Sequence, residues 1–224
     1  MSLETSLRQG SVAALVGSAE GVEVLEELLL PAAERSARVL LPAVSELLDA
    51  CGWQPSEIDL VCVTTGPGSF TGLRIGVTAA KTLAFAVGAK LVGVHTLAAL
   101  AGSVPNRTGR VWAILDAQRQ ELFAAKFEGE QIPRMPETQI LTVKDWLAEL
   151  QPGDSVVGPP LAQLAERLPA GVNVVDAKLW QPQASVVGQL SYKLFQTGEL
   201  VDPVQLVPNY YRKSAAEEKA AQSK

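Results

Sequence analysis

One junction limits the folds open to this chain more than any other. An apolar run rich in β-branched residues, Ile58 to Thr64, reads as a buried central strand. It ends in the turn Gly66-Pro67-Gly68, and a helical pattern opens at once from Thr71 to Val87. A strand delivering its carboxyl end to a helix amino terminus through a glycine turn belongs to α/β architectures. It is also a natural anion site. The first backbone N–H groups of a helix lack internal partners, and Ser69, Thr71 and Arg74 add donors nearby. The familiar nucleotide signatures are absent, because Gly66, Gly68 and Gly72 fit neither a P-loop nor a dinucleotide fingerprint. Residue types alone leave a second reading open, in which Ser69 or Thr71 caps the helix and the glycines make the turn.

The pattern around this junction is strand and helix in alternation. Leu3 to Thr5, Ser11 to Val16 and Val22 to Leu28 read as three meandering strands joined by loops with Gly10, Gly17 and Gly21. A helix follows over Ser36 to Cys51, with Leu40, Leu41, Val44, Leu47 and Leu48 spaced by three and four and Gly52 as the stop. The second half repeats the theme with strands at Val111 to Leu115, Leu122 to Phe127, Ser155 to Val157 and Val172 to Val175. Helices are expected after Thr142, where Asp145 is a capping-box candidate, and at Leu161 to Leu168 and Ser185 to Thr197. The stretch Gly102 to Gly109, with Pro105, is the expected boundary, dividing the chain into a lobe of residues 1–104, a lobe of residues 105–205 and a tail of residues 206–224.

Composition excludes several functions. A formal net charge of −5 argues against gripping nucleic acid through the chain's own electrostatics. Cys51 and Cys62 are unpaired in apolar segments, as in a reducing compartment, and the amino terminus carries no secretory pattern. The apolar stretch Ile75 to Val94 contains Lys81, Lys90, Gly76 and Gly88, so it reads as a buried helix and strand rather than a membrane span. The sequon at Asn106 to Thr108 would matter only after secretion. His95 is the single histidine, too few for a His-based zinc site, and no GxSxG surrounds any serine. Asp116 and Glu121 face each other across an apparent hairpin turn without an obvious partner for a harder cation. Glu4, Thr5 and Ser6, leading to Gly10, form a second loop of small hydroxyl residues, readable as a phosphate hairpin or as an ordinary turn. The helix after the glycine turn carries Gly76, Ala79, Ala80, Ala84 and Ala86 around much of its circumference, so burial within the chain and packing on another helix both remain open.

The run GPGSFTGLRIG at Gly66 to Gly76 resembles the TsaB (YeaZ) family. LETS near the start, GVHTLAALA at Gly93 to Ala101, ILDAQRQELFAAKF at Ile114 to Phe127 and PNYYRKSAAEEK at Pro208 to Lys219 follow in the family's order. The resemblance implies an α/β fold of two actin/Hsp70-like (RNase H-like) lobes, each a mixed sheet flanked by helices. It implies a non-catalytic partner of the TsaD transferase in forming N6-threonylcarbamoyladenosine at position 37 of ANN-decoding tRNAs. With it come a TsaE-type ATPase as a further partner, tRNA reached only through the complex, a homodimer when the chain is alone, a cytoplasmic location and no membrane. No cofactor is expected to be held tightly and no metal site is expected; ATP or ADP and a divalent metal belong to the partner subunits. The expected nucleotide-proximal loop is Ser6, Gly66, Gly68, Ser69, Thr71, Gly72 and Arg74, and the expected partner interface is Leu40, Leu41, Val44, Leu47, Val77, Ala80, Lys81 and Ala84. The alternative is an independent ATP-using or peptidase-like enzyme of the same superfamily. The chain departs from the family pattern in its short first strand, in Glu4 where an Asp-Thr-Ser triplet is common, and at Glu34-Arg35-Ser36, where many members carry a histidine.

Overall fold

The computed structural model describes residues 1–34, 36–107 and 109–212. Two five-stranded mixed sheets repeat one topology. In the first, β1 (Ser2–Glu4), β2 (Ser11–Ser18) and β3 (Gly21–Leu29) form an antiparallel meander, and β4 (Leu60–Gly66) and β5 (Lys90–His95) extend it in parallel, in the order β3-β2-β1-β4-β5. In the second, β6 (Val111–Asp116), β7 (Glu121–Phe127) and β8 (Thr138–Thr142) form the meander, followed by β9 (Ser155–Val157) and β10 (Asn173–Val174), in the order β10-β9-β6-β7-β8. The fold is the expected pair of α/β lobes.

Helices fill three layers around the sheets. α1 (Ser36–Cys51) and α2 (Phe70–Val87) cover the outer face of the first sheet, with Leu40, Val44, Leu47, Val77 and Ala80 meeting Val61, Val63 and Leu91. Between the sheets, α3 (Thr96–Gly102) and α6 (Ala184–Gln196) share a core with Cys62 and Val92 on one side and Val111, Ala113 and Leu115 on the other. α4 (Val143–Glu149) and α5 (Leu161–Leu164) close the far face, where Trp146 and Leu161 meet Trp112 and Ile114. The alternation of Val111, Ala113 and Leu115 with Trp112 and Ile114 is the two-residue period of a strand buried on both faces.

Several sequence expectations shift. α6 packs on β2, β1, β4 and β5, so the helix placed by sequence within residues 105–205 lies on the first sheet, while α3 reaches across to β6. The helix expected over Leu161 to Leu168 ends at Leu164 and tightens into a 3-10 turn over Ala165–Arg167. β8 was not read because TQILT offers only two apolar residues, and it lies at a sheet edge. Thr142 caps α4 as expected, its hydroxyl oxygen accepting from the Asp145 N–H at 3.1 Å. α2 has the length and apolar character of a membrane span, yet its Gly72, Leu73, Gly76, Val77, Ala80 and Ala84 are buried inside the first lobe. Arg35, the sequon residue Thr108 and the Lys213 to Lys219 portion of the PNYYRKSAAEEK run lie outside the described residues.

Candidate functional site

The glycine junction is a packing device. Thr5 and Ser6, just beyond β1, lie directly on the first turns of α2. A Cβ on Gly72 would stand 2.1 Å from the Thr5 carbonyl oxygen, one on Gly76 would stand 2.1 Å from Thr5 Oγ1, and one on Gly68 would stand 2.4 Å from the Ser6 carbonyl oxygen. Such approaches are open only to glycine. They are fastened by the Thr5 hydroxyl donating to the Gly72 carbonyl at 2.8 Å and the Ser69 N–H donating to the Ser6 carbonyl at 2.6 Å. Ser69 is the cap, its hydroxyl accepting from the Gly72 N–H at 3.2 Å. Gly66 and Pro67 are joined by a cis peptide bond.

The residues expected around an anion therefore scatter. Ser6, Gly68 and Ser69 line a cleft of about 660 Å³ between the lobes. Gly66 faces the Asn209 carbonyl, Gly72 faces Thr5, and Thr71 is exposed on α2. Arg74 is held on the cleft's aromatic side: its guanidinium lies 4.0 Å from the centroid of the Phe70 ring and its Nε donates to the Tyr210 hydroxyl at 3.0 Å.

Glu4, beneath this loop, is fully buried. Its Oε1 accepts from the Ser6 N–H at 2.7 Å, the Ser6 hydroxyl and the Thr64 hydroxyl at 3.2 Å, while Oε2 has no partner. Burial raises its carboxyl to about 7, against the downward pull of those hydrogen bonds.

The opposite wall of the cleft comes from the β6–β7 turn. Gln118, Arg119 and Gln120 take φ of 65°, 57° and 62°, three successive non-glycine residues in the left-handed region. The turn is held by Asp116, whose carboxylate accepts from the Gln118 N–H at 2.8 Å and side-chain amide at 3.0 Å. Asp116 and Glu121 do not converge on a cation, since Glu121 pairs with Arg212. Among the described residues no three His, Cys, Asp or Glu side chains gather where a metal would sit.

His95 is a structural cap. Its Nδ1 accepts from the Leu97 N–H at 3.2 Å at the start of α3, which leaves Nε2 to face the Tyr211 hydroxyl at 2.8 Å and Thr138 Oγ1 at 3.2 Å. Burial lowers it to about 4, so the ring is neutral. Sequence reading missed the cleft's aromatic side, formed by Phe70, Phe123, Tyr210 and Tyr211. The only signal was the PNYYR run itself, which carries no periodicity and no reactive side chain.

The expected interface is corrected by burial. Leu40, Val44, Leu47, Val77, Ala80 and Ala84 are each at most 5% exposed, because the apolar stripe of each helix faces the sheet. Lys81 is half-buried and donates to the carbonyls of Val204 and Leu206 at 3.3 and 3.0 Å. Leu41 is 61% exposed, and Phe85, 85% exposed on the outer face of α2, was not foreseen.

Comparison with known proteins follows the same lines. The profile of the family described as "TsaD: tRNA N6-adenosine threonylcarbamoyltransferase" matches residues 30–220. The tRNA threonylcarbamoyladenosine biosynthesis protein TsaB of Bacillus subtilis is 34% identical over 119 residues, 52% of each chain, so the match spans about half of that relative. The protein of the same name from Escherichia coli is 27% identical over 193 residues, 79% of this chain and 80% of that one. The solved structure of YeaZ from Pseudomonas aeruginosa superposes with a TM-score of 0.77 at 28% identity, covering 93% of this chain and 97% of the other.

Proposed function

This chain belongs to the family of the threonylcarbamoyltransferase TsaD, in its TsaB (YeaZ) group, and from that premise we propose that it serves tRNA threonylcarbamoyladenosine biosynthesis as the non-catalytic partner of a TsaD-type subunit. The observation that carries the reading is the seating of Thr5 and Ser6 on the glycine junction, which occupies the space left by the missing Cβ atoms of Gly68, Gly72 and Gly76 and takes up the Ser69 N–H. The apolar side of the cleft is Leu7, Phe70, Leu115, Phe123 and the two tyrosines, and the Ser6 hydroxyl, which donates to Glu4, is fully buried rather than presented to the cleft.

The partner surface in this reading is the outer face of α1 and α2, with Leu41 and Phe85 as its apolar anchors. The same face serves a homodimer when the TsaD-type subunit is absent. A TsaE-type ATPase joins the complex, the nucleotide and divalent metal reside on the partner subunits, and tRNA is approached only through the assembly, in keeping with the net charge of −5. The complex works in the cytoplasm.

The test is threonylcarbamoyl transfer to tRNA by cognate TsaD and TsaE, with and without this chain. Transfer that depends on the chain, with no turnover by the chain alone, is the expected result. Undiminished transfer in its absence would overturn the reading and favour an independent enzyme. Leu41→Glu with Phe85→Glu is expected to lower partner affinity at least tenfold while the chain stays folded, because both side chains are solvated in the free protein. Leu40→Glu unfolds it instead, since Leu40 is 1% exposed.

A further inference from the structure

We infer that residues 209–212 are a clasp that ties the two lobes together across the mouth of the cleft, so that its release opens the cleft. After α6 the chain stays on the first lobe, where the Val201 N–H donates to the Leu91 carbonyl at 3.0 Å and Lys81 holds two carbonyls of the segment against α2. Four consecutive residues then cross from one lobe to the other. Asn209 is fixed twice to the end of β4, its N–H donating to the Thr65 carbonyl at 2.7 Å and its side-chain amide to the Thr65 hydroxyl at 3.1 Å. Gly66 makes this approach possible, since a Cβ there would stand 2.6 Å from the Asn209 carbonyl oxygen. Tyr210 lies against Phe70 with centroids 4.6 Å apart and accepts from Arg74.

The next two residues reach the other side, though the Tyr211 hydroxyl stays on His95 at the end of β5. Tyr211 sits 6.0 Å from the Phe123 ring of β7, and its hydroxyl meets His95, which also touches Thr138 of β8. Arg212 forms an ion pair with Glu121 at the start of β7. All four clasp residues line the cleft. The apolar layer of α3 and α6 joins the sheets along their length, whereas the clasp joins them at the carboxyl ends of β4, β5 and β6, where the cleft opens. Its contacts are hydrogen bonds, one ion pair and ring contacts made by partly exposed side chains, the kind that opens locally without global unfolding.

The experiment is hydrogen exchange on the full chain, comparing the unaltered protein with Asn209→Ala and Arg212→Ala. A clasp transmits each break to the far wall. Arg212→Ala is expected to speed exchange of the Ser69 amide, which donates to Ser6, and Asn209→Ala that of the Glu121 amide, which donates to Gln118. Each change should be about tenfold, the equivalent of one net hydrogen bond, with exchange in α1 and α4 unaltered. Glu121→Gln breaks the ion pair while keeping the side chain's shape, and it carries the test should Asn209→Ala fail to fold. Effects confined in every variant to the wall bearing the substitution would reduce the segment to a surface strap and overturn the inference.

Discussion

The two walls of the cleft are built on opposite principles. On the first-lobe side, glycines at 68, 72 and 76 let the loop after β1 come within backbone contact of α2, and every close approach is fastened by a hydrogen bond or a cap. On the second-lobe side, a turn of similar position uses no glycine where glycine would be easiest: Gln118, Arg119 and Gln120 hold left-handed conformations. One wall uses glycine for proximity, the other does without it where the backbone conformation favours it. The difference teaches that a glycine-rich junction at a helix start is not by itself a phosphate cradle. What decides is whether the space opened by the missing Cβ is empty or already filled by the chain's own backbone.

The sharpest way to break this comparison is to add a methyl group on the glycine side. Gly72→Ala places a carbon 2.1 Å from the Thr5 carbonyl oxygen, a backbone atom in a buried loop that has no rotamer to yield. The expected cost is about 3 kcal/mol or more, a fall in melting temperature of roughly 6 to 12 °C for a chain of this size. Gly76→Ala should behave similarly, because Thr5 Oγ1 is also buried and already bonded to Gly72. A loss below about 1 kcal/mol in both would show that Thr5 and Ser6 can retreat, and that the junction is an open cradle after all.

How far the sequence spoke depends on the same physics. The helical period of α1, with Leu40, Val44 and Leu47 on one stripe, set its bounds at Ser36 and Cys51 without help from the structure. The stripe was nevertheless read as a meeting surface, although an apolar stripe on a helix of an α/β lobe faces the sheet first; the informative residues were the apolar ones the sheet leaves exposed, Leu41 and Phe85. The junction at Gly66 to Gly76 was legible as a turn and a cap, but nothing in a one-dimensional pattern reveals that Thr5 lies against Gly72, 67 positions away. The clasp was illegible for a different reason. Segments without regular structure such as Asn209 to Arg212 declare neither period nor partner, and their meaning comes from what they cross.

The lobes' buried titrating groups sharpen the comparison at the next level of effect. Glu4, under the filled loop, has its carboxyl raised from 4.5 to about 7 by burial. The folded state therefore keeps a proton that the unfolded chain releases, so its contribution is complete below pH 4.5 and fades as pH rises through 7. His95, under the clasp, is lowered from 6.5 to about 4 and runs the other way: its contribution is complete above pH 6.5 and fades as pH falls through 4. Glu4→Gln should thus remove a loss of stability between about pH 4.5 and 7 of up to about 3 kcal/mol, and His95→Gln should flatten the acid limb. Urea denaturation from about pH 4 to 8 reads both. A Glu4→Gln variant that tracks the unaltered protein at every pH would mean that Oε2 finds a partner in solution.

The smallest effect tests the wall without glycine. Gln120 is exposed, its carbonyl accepts from the Val143 N–H at 3.1 Å, and its φ of 62° lies where a side chain is penalised. Gln120→Gly keeps the backbone hydrogen bond and removes the steric cost, while the added freedom of the unfolded chain offsets part of the gain. The expected outcome is stabilisation by about 0.5 to 1 kcal/mol, read as a rise in the urea midpoint at unchanged slope. Glycine would then stabilise one wall of the cleft as surely as its removal damages the other. If the substitution destabilises the chain instead, the left-handed turn is held by contacts of the Gln120 side chain itself, and the second wall is as closely fitted as the first.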